Sequence, residues 1–330
     1  RKTEETGAEL HLGRRIVRVD PDARRATDDR GTTYDYGKLL LATGGRPRRL
    51  PDAPEDVVYY RTFDDFRRLR ELADRGASFV VVGGGFIGSE VAAALRMQDR
   101  EVTLVLKGEG IGQGLYPPEL SRWLVDYYRE KGVTVVPGRS VNRVASRNGR
   151  FSIDGDLTAD VVVAGLGIEP AVDLARDIGL EVANGVVVDE YLCTSRDGVY
   201  AAGDVASFHN PALDRRMRVE HEDNANTMGE TAGRNMAGGR QRYDHLPFFY
   251  SDLFDLGYEA VGELSTRHRI VEDWKEKFRE GVIYYLDGGR VRGVLLWNTW
   301  GQVDAARALI AEPGPFGPDQ LKGRLPVAEG

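Results

Sequence analysis

Cysteine is nearly absent from this sequence: Cys193 is the only one in 330 residues. A single thiol excludes an intrachain disulfide and any redox dithiol pair within these residues, and it fits a reducing compartment. No apolar run is long enough to span a membrane. A surplus of positive charge is lacking too, since 45 Lys and Arg face 52 Asp and Glu for a net charge of −7. That balance argues against a nucleic-acid surface, which needs a concentrated basic face. Arg14-Arg15, Arg24-Arg25 and Arg48-Arg49 are interleaved with acids and read as solvated surface. An initiator Met is missing, and Arg1-Lys2-Thr3-Glu4-Glu5 resembles no targeting segment. We therefore expect an N-terminal portion to precede these residues. The compartment is expected to be cytoplasmic, with a mitochondrial one left open. What remains is ordinary for a globular protein: 41% hydrophobic and 29% charged residues, and a length that fits two or three domains.

The most informative stretch runs from Phe79 to Leu95. β-branched residues end in Gly83-Gly84-Gly85-Phe86-Ile87-Gly88, a helix rich in small residues follows, and a second strand is expected at Glu101–Leu106. This is a G-x-G-x-x-G turn in its required setting of strand, turn, helix and strand. Gly83 permits the tight turn, Gly85 lets backbone approach a pyrophosphate, and Gly88 lets helix and strand pack closely. The helix N-terminus offers N–H groups and partial positive charge to phosphates. The competing reading is a tight strand-to-helix turn and nothing more.

Elsewhere the pattern predicts short strands over residues 9–43, starting at Glu9-Leu10-His11-Leu12 and ending in Lys38–Ala42 before Thr43-Gly44-Gly45. An amphipathic helix is expected at 62–76, with Phe63, Phe66, Leu69 and Leu72 on its apolar face. A Gly-rich loop at 108–114 leads to a helix from Pro118 to Lys131, with Pro early and Gly132 just past its end. Further strands at 133–136, 151–153 and 161–163 close on Gly165-Leu166-Gly167-Ile168-Glu169-Pro170. Gly198–Ala202 is a strand running into Gly203-Asp204, and a helix is expected from Glu220 to Met236. The last segment changes character: a hairpin turns at Asp287-Gly288-Gly289, and a helix follows from Gln302 to Ile310. Alternating strands and helices indicate parallel α/β architecture, and the aromatic hairpin segment a smaller α+β domain.

Ala42-Thr43-Gly44-Gly45, the glycine turn, and Val199-Tyr200-Ala201-Ala202-Gly203-Asp204 stand in a telling series. In this order they resemble the two-dinucleotide flavoprotein reductases of the glutathione-reductase-like superfamily. Three further stretches narrow the resemblance to the apoptosis-inducing-factor and ferredoxin-reductase-like branch. They are Arg218-Val219-Glu220-His221-Glu222-Asp223 with Ala232–Met236, Tyr250-Ser251-Asp252-Leu253 with Gly257–Ala260, and Gly281–Leu286 with Leu296-Trp297-Asn298. The resemblance implies an α/β flavoprotein with an NAD(P)H domain at 46–168 inserted into an FAD domain at 1–45 and 169–243. A small α+β C-terminal interface domain at 244–330 completes it. Three departures from the pattern stand out. The glycine turn for the ADP part of FAD and a lysine near the flavin are absent from these residues. Only Ser265–Glu280 occupies the place of a long C-terminal insertion, and Tyr250 replaces a tryptophan.

Site roles follow from the resemblance. Phe86 is expected to stack on the nicotinamide, with plain packing as the alternative. Glu90, placed in the first turn of the same helix, pairs with the absent lysine, or is simply favoured by the helix dipole. Asp204 accepts from the ribityl chain, or is a turn aspartate. Glu220, His221 and Glu222 open a helix whose N-terminus faces the pyrimidine end of the flavin, where it stabilises the reduced anion. His221 is then a donor to the flavin or the nicotinamide amide, or else a capping or surface histidine. Tyr250, beside Phe249, walls the ring system, or the aromatic pair is plain core, and Thr43, Gly44 and Gly167 belong to the dinucleotide-binding loops. Glu259 and Asn298 match contacts to the nicotinamide nucleotide, Arg61 a contact near FAD, and Ile16 a contact to the adenine end. A metal at His221-Glu222-Asp223 is rejected, because no second His or Cys sits at ligand spacing.

An NAD-selective acid is expected at the end of the second strand, at Leu106; Glu109 lies just beyond. Lys107 alone could serve a 2′-phosphate, so NAD is favoured over NADP. The implied activity is an FAD-dependent NADH oxidoreductase that passes electrons to a quinone-like acceptor or an iron–sulfur carrier. From a different class comes an NADH-sensing flavoprotein, whose long-lived reduced complex controls partner binding or homodimerisation. A disulfide reductase is disfavoured by the single cysteine.

Overall fold

The computed structural model describes residues 4–325, which divide into two compact units. One comprises residues up to Gly45 together with Pro170–His245. The other comprises Arg46–Glu169 and the residues from Leu246 onward.

In the first unit, Ile16–Asp20, Arg25–Asp28 and Thr33–Asp35 form an antiparallel meander. Leu39–Leu41 pairs in parallel with Val199–Ala201. Gly185–Val187 pairs in parallel with Ala206–Asn210, flanked by two short antiparallel strands. The long helix Glu222–Met236 packs on this framework and buries Met228 and Ala232 among Leu41, Ala201, Val205 and Phe208.

The second unit is built on a four-stranded parallel sheet in the order Val161–Ala164, Phe79–Val82, Val102–Val105, Thr134–Val136. Phe79–Val82 and Val161–Ala164 are buried at every residue, as expected of strands covered on both faces. Three helices accompany the sheet. Phe63–Asp74 starts on a capping box, in which the Thr62 hydroxyl accepts from the Asp65 N–H and the Asp65 carboxylate accepts from the Thr62 N–H. Phe86–Met97 buries its small residues, and Pro118–Glu130 has Pro in its first turn. A five-stranded antiparallel sheet follows, in the order Phe248–Leu253, Leu256–Gly262, Arg290–Trp297, Glu280–Asp287, Arg269–Glu276. Gly288 and Gly289, both at positive φ, make the two-residue turn between Asp287 and Arg290.

Two local expectations fail. Glu9–Leu12 is not a strand: Leu12 is 82% exposed, and the alternation ends at Gly13 in the left-handed region before any neighbour can pair with it. In the helix Phe63–Asp74 the apolar face is only half used. Leu69 and Ala73 are buried, whereas Phe63 and Phe66 are 64% and 42% exposed and stack on each other. Periodicity identifies the apolar stripe but not where its covering neighbours stop.

Candidate functional site

Of the three motif glycines, two are crowded by backbone and one is open. Gly83 has φ +116°, and a Cβ there would lie 2.3 Å from the Gly165 carbonyl oxygen. At Gly88 a Cβ would lie 1.9 Å from the carbonyl oxygen of Gly83, so helix and turn touch backbone to backbone. Gly85 is different. It has ordinary extended backbone at the helix N-cap, no protein atom lies within 4 Å of a Cβ built on it, and no side chain caps the helix. The open position lies at an uncapped helix N-terminus, whose first amides no side chain satisfies, a cradle that fits a phosphate group. Ile87, just inside the helix, is exposed beside it.

The Gly-rich loop after the second strand braces the turn from below. The Gly112 N–H donates to the Gly84 carbonyl at 2.8 Å. A Cβ on Gly110 would meet Ser121 and one on Gly112 the ring of Tyr116, so the loop is packed against the helix that follows it. Within it, the Glu109 N–H donates to Gln113 Oε1 at 2.6 Å, and the exposed Glu109 carboxylate lies beside Gly138. Leu106, at the strand end, is buried. The Glu109 carboxylate is thus set one loop further on, two residues past the exposed Lys107.

Phe86 is the first helical residue and packs edge-on against Phe249, with ring centroids 5.0 Å apart. Glu90 corrects the expectation made for it. It is the fifth residue of the helix, one turn beyond the N-terminus, and the first turn contains no acid. A terminal dipole therefore does not account for it. Its carboxylate instead accepts from the Ser251 hydroxyl, and burial pushes it above its ordinary range, against the Ser251 hydrogen bond and with help from Asp252. Tyr250, 59% exposed, stands directly across from Glu259 in the antiparallel pair of strands. Glu259 accepts from the Gly301 N–H at 3.3 Å. The Asn298 amide is occupied by the fold itself: its Oδ1 accepts from the Gly257 N–H at 2.6 Å, and its Nδ2 donates to the Arg279 carbonyl. Gly167 sits at φ +78° with open space around it, and its carbonyl accepts from the Arg48 N–H. Arg61 is exposed ahead of the capping box, where its N–H donates to Asp65.

In the other unit, Gly203 turns at φ +75° into a short helix holding Asp204, whose carbonyl accepts from the buried Arg218 guanidinium. Arg218 also pairs with Glu220 at 2.6 Å. His221 is the N-cap of the helix Glu222–Met236, with Glu222 and Asp223 in the first turn. Burial pushes the His221 imidazole down to about 4, despite the opposing charges of Asp204 and Asp223. It is neutral at pH 7. The helix again has no side-chain cap on its first-turn amides, donors that fit a polar ring edge such as a flavin's. Thr43 donates its hydroxyl to the Ala171 carbonyl at 2.7 Å, Gly44 lies at φ +63°, and Ile16 is half-buried at the start of the meander.

Reasoning from the sequence missed three groups: Ser251 beside Glu90, the buried Arg218 beneath Asp204, and the pairing of Asp223 with His245 Nε2 at 2.6 Å. Each depends on register or long-range packing, although Ser251 and Arg218 both lie inside stretches that carried the resemblance. Among the described residues, no cluster of three or more His, Cys, Asp or Glu could hold a metal, and no helix is long and apolar enough to cross a membrane.

Comparison with known proteins agrees with this arrangement. Residues 1–229 match the family described as pyridine nucleotide-disulphide oxidoreductase, and residues 264–312 match the mitochondrion-associated C-terminal domain of apoptosis-inducing factor. The ferredoxin–NAD(+) reductase component of the anthranilate 1,2-dioxygenase system of Burkholderia cepacia is 35% identical, over 94% of this chain and 79% of its own length. The mitochondrial apoptosis-inducing factor 1 of Dictyostelium discoideum is 34% identical over 92% of this chain, which spans only 60% of that relative. The reductase in the crystal structure of the covalent putidaredoxin reductase–putidaredoxin complex superposes with a TM-score of 0.85 at 30% identity, covering 93% of this chain and 77% of that one. The fold is that of the flavoprotein reductases with two dinucleotide-binding domains and a C-terminal domain. This chain belongs to the pyridine nucleotide-disulphide oxidoreductase family.

Proposed function

We propose that the protein is an FAD-dependent NADH oxidoreductase: hydride passes from NADH to FAD, and electrons then go to an iron–sulfur carrier or a quinone-like acceptor. The observation that carries this reading is the cradle at Gly85, open where Gly83, Gly84 and Gly88 are crowded, in a chain whose relatives include a ferredoxin–NAD(+) reductase. In this reading residues 46–168 hold NADH, 1–45 and 169–243 hold FAD, and 244–330 form the C-terminal interface domain.

Bound FAD supplies a ring that takes up two electrons as hydride and can release them singly. The chain's residues bind and orient around that chemistry. Amides of Gly84–Gly88 take the NADH pyrophosphate at the helix N-terminus. Phe86, held edge-on by Phe249, supplies a flat wall for the nicotinamide, with Glu259 and the second Nδ2 hydrogen of Asn298 at its nucleotide and Gly167 in the loop beyond the sheet. Glu109 takes the adenosine ribose hydroxyls and, as an anion, disfavours a 2′-phosphate. NADH is therefore the donor. On the flavin side, Asp204 accepts from the ribityl hydroxyls, and Ile16, Thr43, Gly44 and Arg61 line the cofactor. The N-terminus of the helix Glu222–Met236, flanked by Glu220 and Glu222, offers N–H groups where negative charge develops on reduction. His221, neutral at pH 7, offers an N–H without adding a full charge. Tyr250 covers the ring with an exposed aromatic face.

Anaerobic addition of NADH to the purified, FAD-loaded protein tests the reading. Stoichiometric bleaching of the flavin band, followed by reoxidation with a ferredoxin or a quinone, is expected. A flavin band unchanged by NADH would refute it.

A further inference from the structure

Behind the nucleotide turn, three hydroxyls and a carboxylate of one unit form a continuous chain. The Tyr116 hydroxyl donates to the Tyr258 hydroxyl at 2.8 Å. Tyr258 is hydrogen-bonded to Ser251, its direct partner across the antiparallel strands. Ser251 Oγ donates to Glu90 Oε1. The Tyr116 proton points to Tyr258 and the Ser251 proton to Glu90, and the Tyr258–Ser251 hydrogen bond joins the two links. All three hydroxyl residues are buried, and Glu90 is half-buried. A core needing only volume would place Phe at Tyr116 and Tyr258 and Ala at Ser251, and so avoid desolvating three hydroxyls. Lining them up on one carboxylate instead holds that carboxylate in place.

The other groups facing Glu90 do not help its ionised form. Asp252, next to Ser251, opposes its charge, and the phenols of Tyr60, Tyr128 and Tyr258 each feel the Glu90 charge as unfavourable to their own ionisation. The Ser251 hydrogen bond is the contribution that favours the carboxylate.

We propose that Ser251, backed by Tyr258 and Tyr116, is a positioning residue: it fixes one oxygen of the Glu90 carboxylate so that the other presents its charge to the nicotinamide as hydride leaves. Losing hydride makes the nicotinamide ring cationic, so an anion held beside it favours transfer over return. This rests on the reading above, in which Phe86 walls the nicotinamide; Glu90 lies one turn further along the same helix, on the same face.

The test has two readouts. The Glu90 carboxyl is titrated by carbon-13 NMR in glutamate-labelled protein, with Glu90→Gln identifying its signal. Flavin reduction by NADH is followed by stopped flow across the same pH range. Ser251→Ala is expected to move the Glu90 midpoint upward, because burial and Asp252 then act unopposed, and to move the pH dependence of flavin reduction upward by the same amount. Ser251→Thr, which keeps the hydroxyl, is expected to restore both. Tyr258→Phe, nearly equal in volume, should shift both in the same direction by less, and it carries the test if Ser251→Ala fails to fold. An unmoved carboxyl midpoint would overturn the proposal whatever the enzyme's activity. A moved midpoint with an unmoved reduction profile would also overturn it, since Glu90 would then be held but idle. Unsubstituted protein that NADH does not reduce would bring down the functional reading first, and this proposal with it.

Discussion

At the scale of single residues, position relative to burial decides what each titratable group can do. His221 is the clearest case, because folding pushes its imidazole from 6.5 down to about 4. Between those values the unfolded chain binds a proton that the folded one excludes. Stability in the absence of flavin must therefore fall as pH drops through that window, by about 3 kcal/mol on reaching pH 4. His221→Gln should remove that decline while leaving stability at pH 7 little changed, as urea unfolding at a series of pH values would show. A variant that declines as steeply as the parent would mean that other groups cause the acid lability. Glu109 makes a narrower case. It is exposed on a braced loop, so its removal should cost little stability. Glu109→Ala should weaken NADH binding about tenfold or more while leaving NADPH binding nearly unchanged, the loss expected for hydrogen bonds to a charged acceptor. Initial rates with both nucleotides check this, and an unaltered preference would remove Glu109 from the site.

Secondary elements were legible in the sequence wherever the signal was local. The strand–turn–helix–strand unit, the helix opened by Pro118, the Gly288-Gly289 hairpin and the helix ending at Met236 all follow from periodicity and turn chemistry. Where partners far along the chain decide the outcome, the sequence is silent. Glu9–Leu12 alternates correctly but has no neighbour to pair with, and Phe63 and Phe66 fit the stripe of a helix whose cover ends before it reaches them. For the same reason the Glu90–Ser251 contact went unseen, since it joins residues 161 apart. Within the turn, the roles given to Gly83 and Gly88 can be separated by energy. Gly88→Ala would drive a methyl group into the Gly83 carbonyl, and backbone there cannot yield without moving the strand. We expect a loss of about 3 kcal/mol or more in thermal or urea unfolding. A variant as stable as the parent would show that the turn and helix are less tightly joined than the structure has them.

For the molecule as a whole, the central claim of the proposed function is that the cradle at Gly85 holds NADH. Gly85 is the position at which fold and function come apart. Its backbone is ordinary and a Cβ built there meets nothing within 4 Å beyond its chain neighbours, so the backbone and its surroundings accept a side chain without strain. The direct measurement is calorimetric titration of NADH into the parent protein and into Gly85→Glu, with unfolding midpoints recorded for both. The account predicts the same midpoint and no measurable NADH binding in the variant, because the new carboxylate fills the cradle and repels the pyrophosphate. Undiminished NADH affinity in a folded Gly85→Glu protein would contradict it.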